Sequence, residues 1–173
     1  PDIIRGMNLL RLIIFLLVFS IELPAQNYIR NSSFEKYHEP PGKNSNSINQ
    51  AIGWIAPKYS SDYYSKGGGF FHAGVPHNIF GHQRPHSGKA YAGICTRTHF
   101  LEYIETVLRD TLEAGKTYQI ELYISRAELS FRTIKEFGVL FGNKKIWGLQ
   151  SRGIAVEPQV KFKRKHGFRN KHK

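Results

Sequence analysis

Apolar and polar residues alternate most cleanly at 117–126, where Tyr118, Ile120, Leu122 and Ile124 share one side and Gln119, Glu121, Tyr123 and Ser125 the other. A period of two with one apolar side predicts a half-buried antiparallel strand. Less regular runs predict strands at 28–34, 89–96, 102–110 and 137–141, with weaker candidates at 146–147 and 154–156. The stretch 51–55, which carries Trp54, is short and apolar, and 128–135 is a polar link compatible with a helical turn. Turn-forming residues separate these runs at Pro40-Pro41-Gly42 and at Glu113-Ala114-Gly115-Lys116. From 56 to 88, with Pro57, Gly67-Gly68-Gly69, Pro76 and Pro85, no period is visible, and a long irregular loop is expected. A loop of that length stays compact only by packing its own side chains or by serving function. Short strands divided by turns, without heptads or internal repeats, predict an all-β antiparallel sandwich or barrel.

The first 26 residues follow a different rule. Met7-Asn8-Leu9-Leu10-Arg11 opens a positively charged start, 12–21 is continuously apolar, and Leu23-Pro24-Ala25-Gln26 offers a cleavage zone. That order matches an export signal. The apolar run is about half of the roughly 20 residues a membrane-spanning helix needs. Residues 1–6 read as an upstream extension, and the mature chain is expected to begin near Asn27. No cysteine stands at the cleavage zone after the apolar run, so lipoprotein processing is not expected. The organisation expected is therefore extension and signal-peptide helix at 1–26, one domain at 27–160 and a basic, disordered tail at 161–173.

Charge at first suggests a nucleic-acid binder, because the 173 residues carry a formal +12. Seven of those charges lie in 161–173, residues 1–26 balance, and five remain for 27–160. The folded part is mildly basic, and the default for such a tail is a solvated chain end. A protein routed out of the cytoplasm is not expected to meet nucleic acid. Cys95 is the sole cysteine, so no disulfide can form within one chain. A small exported domain without disulfides depends on a sizeable core.

Candidate chemistry is sparse. His72, His77, His82 and His86 cluster within fifteen residues, but their spacing matches no helical face, and no Asp or Glu lies between Asp62 and Glu102. No metal and no cofactor is expected. Cys95 sits in the apolar run Ala92-Gly93-Ile94-Cys95, where a small buried residue is expected rather than an activated thiolate. The pairs Glu102 and Glu105, or Glu35 and Glu39, have no spacing that makes them face each other as a glycosidase dyad must. They read as surface charge. Gly67-Gly68-Gly69 lacks the Lys-Ser/Thr continuation of a phosphate loop. No enzymatic activity is expected. In the loop, Tyr59, Tyr63 and Tyr64 lie near Asp62, Asn78 and Gln83. Exposed rings beside such polar groups would stack on sugars and bind their hydroxyls, and these six are the candidate ligand-binding residues. The same rings would also serve as a satellite core beneath the loop.

The run from Gly74-Val75-Pro76-His77-Asn78 through Gly81-His82-Gln83-Arg84-Pro85 to Gly88-Lys89-Ala90-Tyr91 resembles a known family. It is similar to the N-terminal extracytoplasmic domain of Bacteroidetes-type secreted and OmpA-like outer-membrane proteins. Asn31-Ser32-Ser33-Phe34-Glu35, Gly53-Trp54, Asp62-Tyr63-Tyr64, Glu102-Tyr103-Ile104 and Leu112-Glu113-Ala114-Gly115-Lys116-Thr117-Tyr118 add to the likeness, which spans about 27–160. The resemblance implies a jelly roll like those of galactose-binding and carbohydrate-binding modules, and it carries no catalytic residues. It further implies strands beyond 156–160 and a C-terminal peptidoglycan-binding domain, so a truncated or frame-shifted product is expected. A jelly roll needs about eight strands, more than the clear candidates supply. The function expected is a non-catalytic cell-envelope binding or adhesion module in the periplasm, at the outer membrane or outside the cell. Its expected partner is a surface polysaccharide or peptidoglycan. A structural spacer without a ligand is the alternative, and a hydrolase stands behind both.

Overall fold

The computed structural model describes residues 26–42, 46–57, 61–97, 100–146, 154 and 156–163. The export segment, Tyr59, Trp147 and most of the basic tail lie outside the described residues. Strands in chain order are β1 (Trp54–Ile55), β2 (Asp62–Ser65), β3 (His77–Asn78), β4 (Gly81–His82) and β5 (Ala90–Gly93). They continue with β6 (Thr96–Arg97), β7 (Phe100–Leu101), β8 (Glu105–Thr106), β9 (Glu136–Val139) and β10 (Val160–Lys163). Among the described residues these pair as five two-stranded antiparallel ladders: β1 with β8, β2 with β5, β3 with β4, β6 with β7, and β9 with β10. The only helical element among them is a 3-10 turn at Ile48–Gln50. The described residues are all-β, as the turn residues and aromatic and β-branched runs of 27–160 predict. None of the helices among the described residues is long and apolar enough to cross a membrane.

The centre of the fold is β2. All four of its residues are buried, so both of its faces are covered. Tyr63, wholly buried, packs with Ile48, Ala51 and Ala90, and Phe34, Trp54, Ala92 and Ile104 close around them. Its hydroxyl donates to the Phe34 carbonyl oxygen at 2.9 Å, which satisfies the one polar atom the ring brings into the core. On the other face Tyr64 stacks on Tyr91 at 5.0 Å and meets the edge of Phe80 at 6.5 Å. The register sets large residues against small ones, with Tyr63 opposite Ala92 and Asp62 opposite Gly93. A Cβ on Gly93 would come within 2.8 Å of the Tyr64 ring, so only glycine lets that ring lie flat over the ladder.

Four expectations are corrected here. The span 56–88 is not structureless: it contributes the central strand β2 and the β3–β4 hairpin. Periodicity missed β2 because a strand buried on both faces has no polar side to alternate with. The expected strand at 28–34 is a single bridge, Ile29 to Leu108, followed by a turn in which Asn31 and Phe34 have φ of 52° and 62°. Residues 161–163, expected in the disordered tail, instead pair with β9, Lys161 opposite Gly138, Phe162 opposite Phe137 and Lys163 opposite Glu136. Glu102 is not surface charge but buried, accepting a hydrogen bond from the Cys95 main-chain N–H at 2.6 Å.

The strand expected at 117–126 forms no ladder. Its residues run without helix, turn or bend, yet no main-chain hydrogen bond reaches them among the described residues. The alternation survives as burial, with Tyr118, Ile120 and Ile124 half-buried and Gln119, Glu121 and Ser125 exposed. Alternation decides which side chains share a face, but a ladder also requires a neighbouring backbone.

Candidate functional site

Of the six sequence candidates, the structure gathers Asp62, Tyr64 and Asn78 into one cluster and seals it. The Tyr64 hydroxyl donates to Asp62 Oδ2 at 2.9 Å, and Asn78 Nδ2 donates to the Tyr91 hydroxyl at 2.7 Å. Asn78 Oδ1 accepts from the Phe80 N–H at 2.9 Å, so this amide ties the β3–β4 hairpin to the Tyr64–Tyr91 stack. Burial pushes the Tyr91 hydroxyl up to about 12, and burial does the same for Tyr63. Tyr63 lies on the opposite face of β2, inside the main core. Gln83 stands apart, its side chain donating to the Arg84 carbonyl oxygen at 2.8 Å. The exposure expected of Tyr63 and Tyr64 is therefore corrected: neither ring offers a face to a sugar, and both are core. Tyr59 lies outside the described residues.

The histidines do not converge either. His77 faces His82 across β3–β4 with ring centroids 4.8 Å apart, and His86 instead stacks on Tyr123 at 3.4 Å. Among the described residues no three His, Cys, Asp or Glu side chains gather as a metal site would require.

An open cleft of about 350 Å³ lies elsewhere, along the β1–β8 ladder. Trp54 and Ile55 line it from β1, paired in register with Thr106 and Glu105 of β8. Trp54 is held firmly. Its ring packs on Phe34 at 4.7 Å, and its Nε1 donates to the Asn31 carbonyl oxygen at 3.0 Å. The strand approaches through Gly53, whose φ of 86° is a glycine conformation, and the Gly53 carbonyl accepts from Thr106 Oγ1 at 2.7 Å. Asn49, on the 3-10 turn, spends its oxygen on the Ala56 N–H at 3.0 Å and keeps its amide donors. Glu105 uses Oε2 to hold the Ile146 N–H at 3.1 Å, which leaves Oε1 as an acceptor on the cleft and places Lys145 beside it. Arg30 and His38 complete the rim, exposed and with no side-chain partner among the described residues.

The cleft thus offers a half-buried indole surrounded by cationic and amide donors and one carboxylate. A flat apolar ring with hydrogen-bonding groups around it is what sugar recognition requires. The sequence singled out Trp54 only as part of an apolar stretch. Arg30, Asn49 and Lys145 carried no signal, because three distant segments bring them together. No family model matches the chain, and no curated protein and no solved structure matches it.

Proposed function

We propose that this chain is a non-catalytic, exported binding or adhesion module of the cell envelope that takes a saccharide in the Trp54 cleft. The observation that carries the reading is the cleft itself, where an indole fixed by Phe34 and Asn31 lies among polar side chains that keep part of their hydrogen-bonding capacity: the Asn49 amide donors, Glu105 Oε1 and the Arg30 and Lys145 cations. The export-like sequence at 7–26 supports secretion to the periplasm, the outer membrane or the cell exterior. The likeness of 74–94 and of Asn31-Ser32-Ser33-Phe34-Glu35 to envelope domains, together with the antiparallel ladders, supports a jelly-roll sandwich within a larger OmpA-like protein. Fold analogy alone assigns no ligand, so the cleft carries the claim.

The test is binding to an array of glycans and peptidoglycan fragments by the purified chain, with Trp147→Phe leaving Trp54 as the only indole reporter. Binding with a shift in Trp54 emission, weakened about tenfold by Arg30→Ala or Lys145→Ala, is the expected result. Both rim residues are exposed and have no side-chain partner among the described residues, so these variants keep the fold. Absence of glycan binding, or binding that leaves Trp54 emission and the rim variants unaffected, overturns it.

A further inference from the structure

The unladdered run 117–126 alternates without helix, turn or bend, and among the described residues it is anchored only through side chains. Tyr118 meets Tyr28 edge-on at 5.6 Å, and Tyr123 stacks on His86. Just beyond it the Leu129 N–H donates to the Phe80 carbonyl oxygen at 3.1 Å. These contacts hold the run in place while its N–H and C=O groups stay unpaired among the described residues. An ordered strand with a free edge is a template for another strand.

We infer that a second copy of this chain supplies that strand, by antiparallel pairing of 117–127 about a two-fold axis through Leu122. The register follows from parity and charge. Residues directly opposite in an antiparallel pair lie on the same side, so the apolar sides of two copies coincide only if the axis passes through a residue, and a one-residue slip turns them apart. An axis through Glu121 sets that carboxylate against itself, and like charges directly opposite are destabilising. An axis through Tyr123 sets Ile120 against Arg126 and runs the pairing into the turn at Glu128 and Leu129. An axis through Leu122 uses the whole run. It places Ile120 opposite Ile124, Leu122 opposite itself and Tyr118 opposite Arg126, an aromatic–cation pair. On the other side it places Glu121 opposite Tyr123 and Gln119 opposite Ser125, with no like charges facing. Leu122 is 42% exposed in the single chain, which leaves it free to meet its copy. The pairing does not involve the Trp54 cleft, so it stands independently of the proposed ligand.

The test uses the full chain with Cys95→Ser as background. Directly opposed residues bring their Cα atoms to about 4.5–5.5 Å, within disulfide reach. On mild oxidation Leu122→Cys is expected to form a covalent dimer. Ile120→Cys alone does not, but it crosslinks when mixed with Ile124→Cys. In sedimentation the parent chain doubles its apparent mass with rising concentration. Leu122→Lys stays monomeric because the new charge faces itself, and mixing it with Leu122→Glu restores the dimer. A parent chain that is monomeric at every concentration overturns the inference. So does crosslinking of Ile120→Cys alone as fast as Leu122→Cys, or failure of the oppositely charged pair to associate.

Discussion

The Trp54 indole N–H donates to the Asn31 carbonyl oxygen at 3.0 Å, although 23 positions of sequence separate them. Asn31 is clamped in turn by its own side chain. Its Nδ2 donates to the carbonyl oxygens of Lys36, at 2.8 Å, and Ile52, at 3.0 Å, while its Oδ1 accepts from the Lys36 N–H at 2.9 Å. One amide therefore fixes the turn after Ile29, the approach to β1 and, through the main chain, the indole that lines the cleft. Asn tolerates the φ of 52° that this position adopts better than other side chains do.

Asn31→Ala removes all three side-chain bonds and leaves a Cβ-bearing residue without local support in the left-handed region. At about 1 kcal/mol per net bond, reduced by partial exposure, a loss of roughly 2 kcal/mol is expected. Asn31→Gly relieves the backbone and loses about half as much. Urea denaturation followed by indole emission checks both. Equal stability of the alanine and glycine variants counts against a backbone contribution.

Tyr63 tests whether β2 is the core or a ligand surface. Tyr63→Phe keeps the packing and orphans the Phe34 carbonyl, at an expected cost of about 1 kcal/mol. Tyr63→Ala empties the centre of the cluster and is expected to cost about 3–5 kcal/mol, enough to unfold a domain of ordinary stability. A well-folded Tyr63→Ala chain, with a cooperative transition near that of the parent, would contradict the burial of this ring.

Sequence pattern made the all-β class visible because turns and β-branched or aromatic runs are local signals. It missed β2, where Asp62-Tyr63-Tyr64-Ser65 lies buried on both faces and shows no period. It overrated 117–126, whose alternation is the clearest in the chain but whose backbone finds no ladder among the described residues. Tyr64, Asp62 and Asn78, grouped from the sequence as ligand-binding candidates, do lie in one cluster, yet sequence could not say whether that cluster was covered, and Phe80 and Tyr91 cover it. The Trp54 cleft escaped notice for a simpler reason. Arg30, Asn49, Glu105 and Lys145 are ordinary surface types until folding juxtaposes them.

Alkaline pH is expected to unfold the chain through two phenols. Tyr63 and Tyr91 stay neutral in the folded state up to about 12, because burial disfavours the phenolate, whereas an unfolded tyrosine ionises near 10. A folded value above the unfolded one contributes stability that is intact below about pH 10 and is lost as pH rises toward 12. Phenolate absorbance should therefore show late-titrating tyrosines whose ionisation coincides with loss of far-ultraviolet dichroism. Ionisation of all nine tyrosines near pH 10 with the fold intact would refute it.

Glu102 closes the β6–β7 hairpin on Cys95. Its Oε2 accepts from the Cys95 N–H at 2.6 Å, and its own N–H donates to the Cys95 carbonyl oxygen at 3.2 Å. Glu102→Ala deletes the side-chain half of this reciprocal pair and leaves a partly buried N–H without its acceptor, at about 1–3 kcal/mol. Glu102→Gln retains an oxygen at the same reach and is expected to lose less. Because Cys95 is the sole cysteine, its reaction with a thiol reagent reports opening of this hairpin without ambiguity. The rate should rise several-fold in the alanine variant and stay near that of the parent in the glutamine variant. Equal rates in all three chains would mean that the hairpin is held by its ladder alone, and that the carboxylate is buried for a reason unconnected with Cys95.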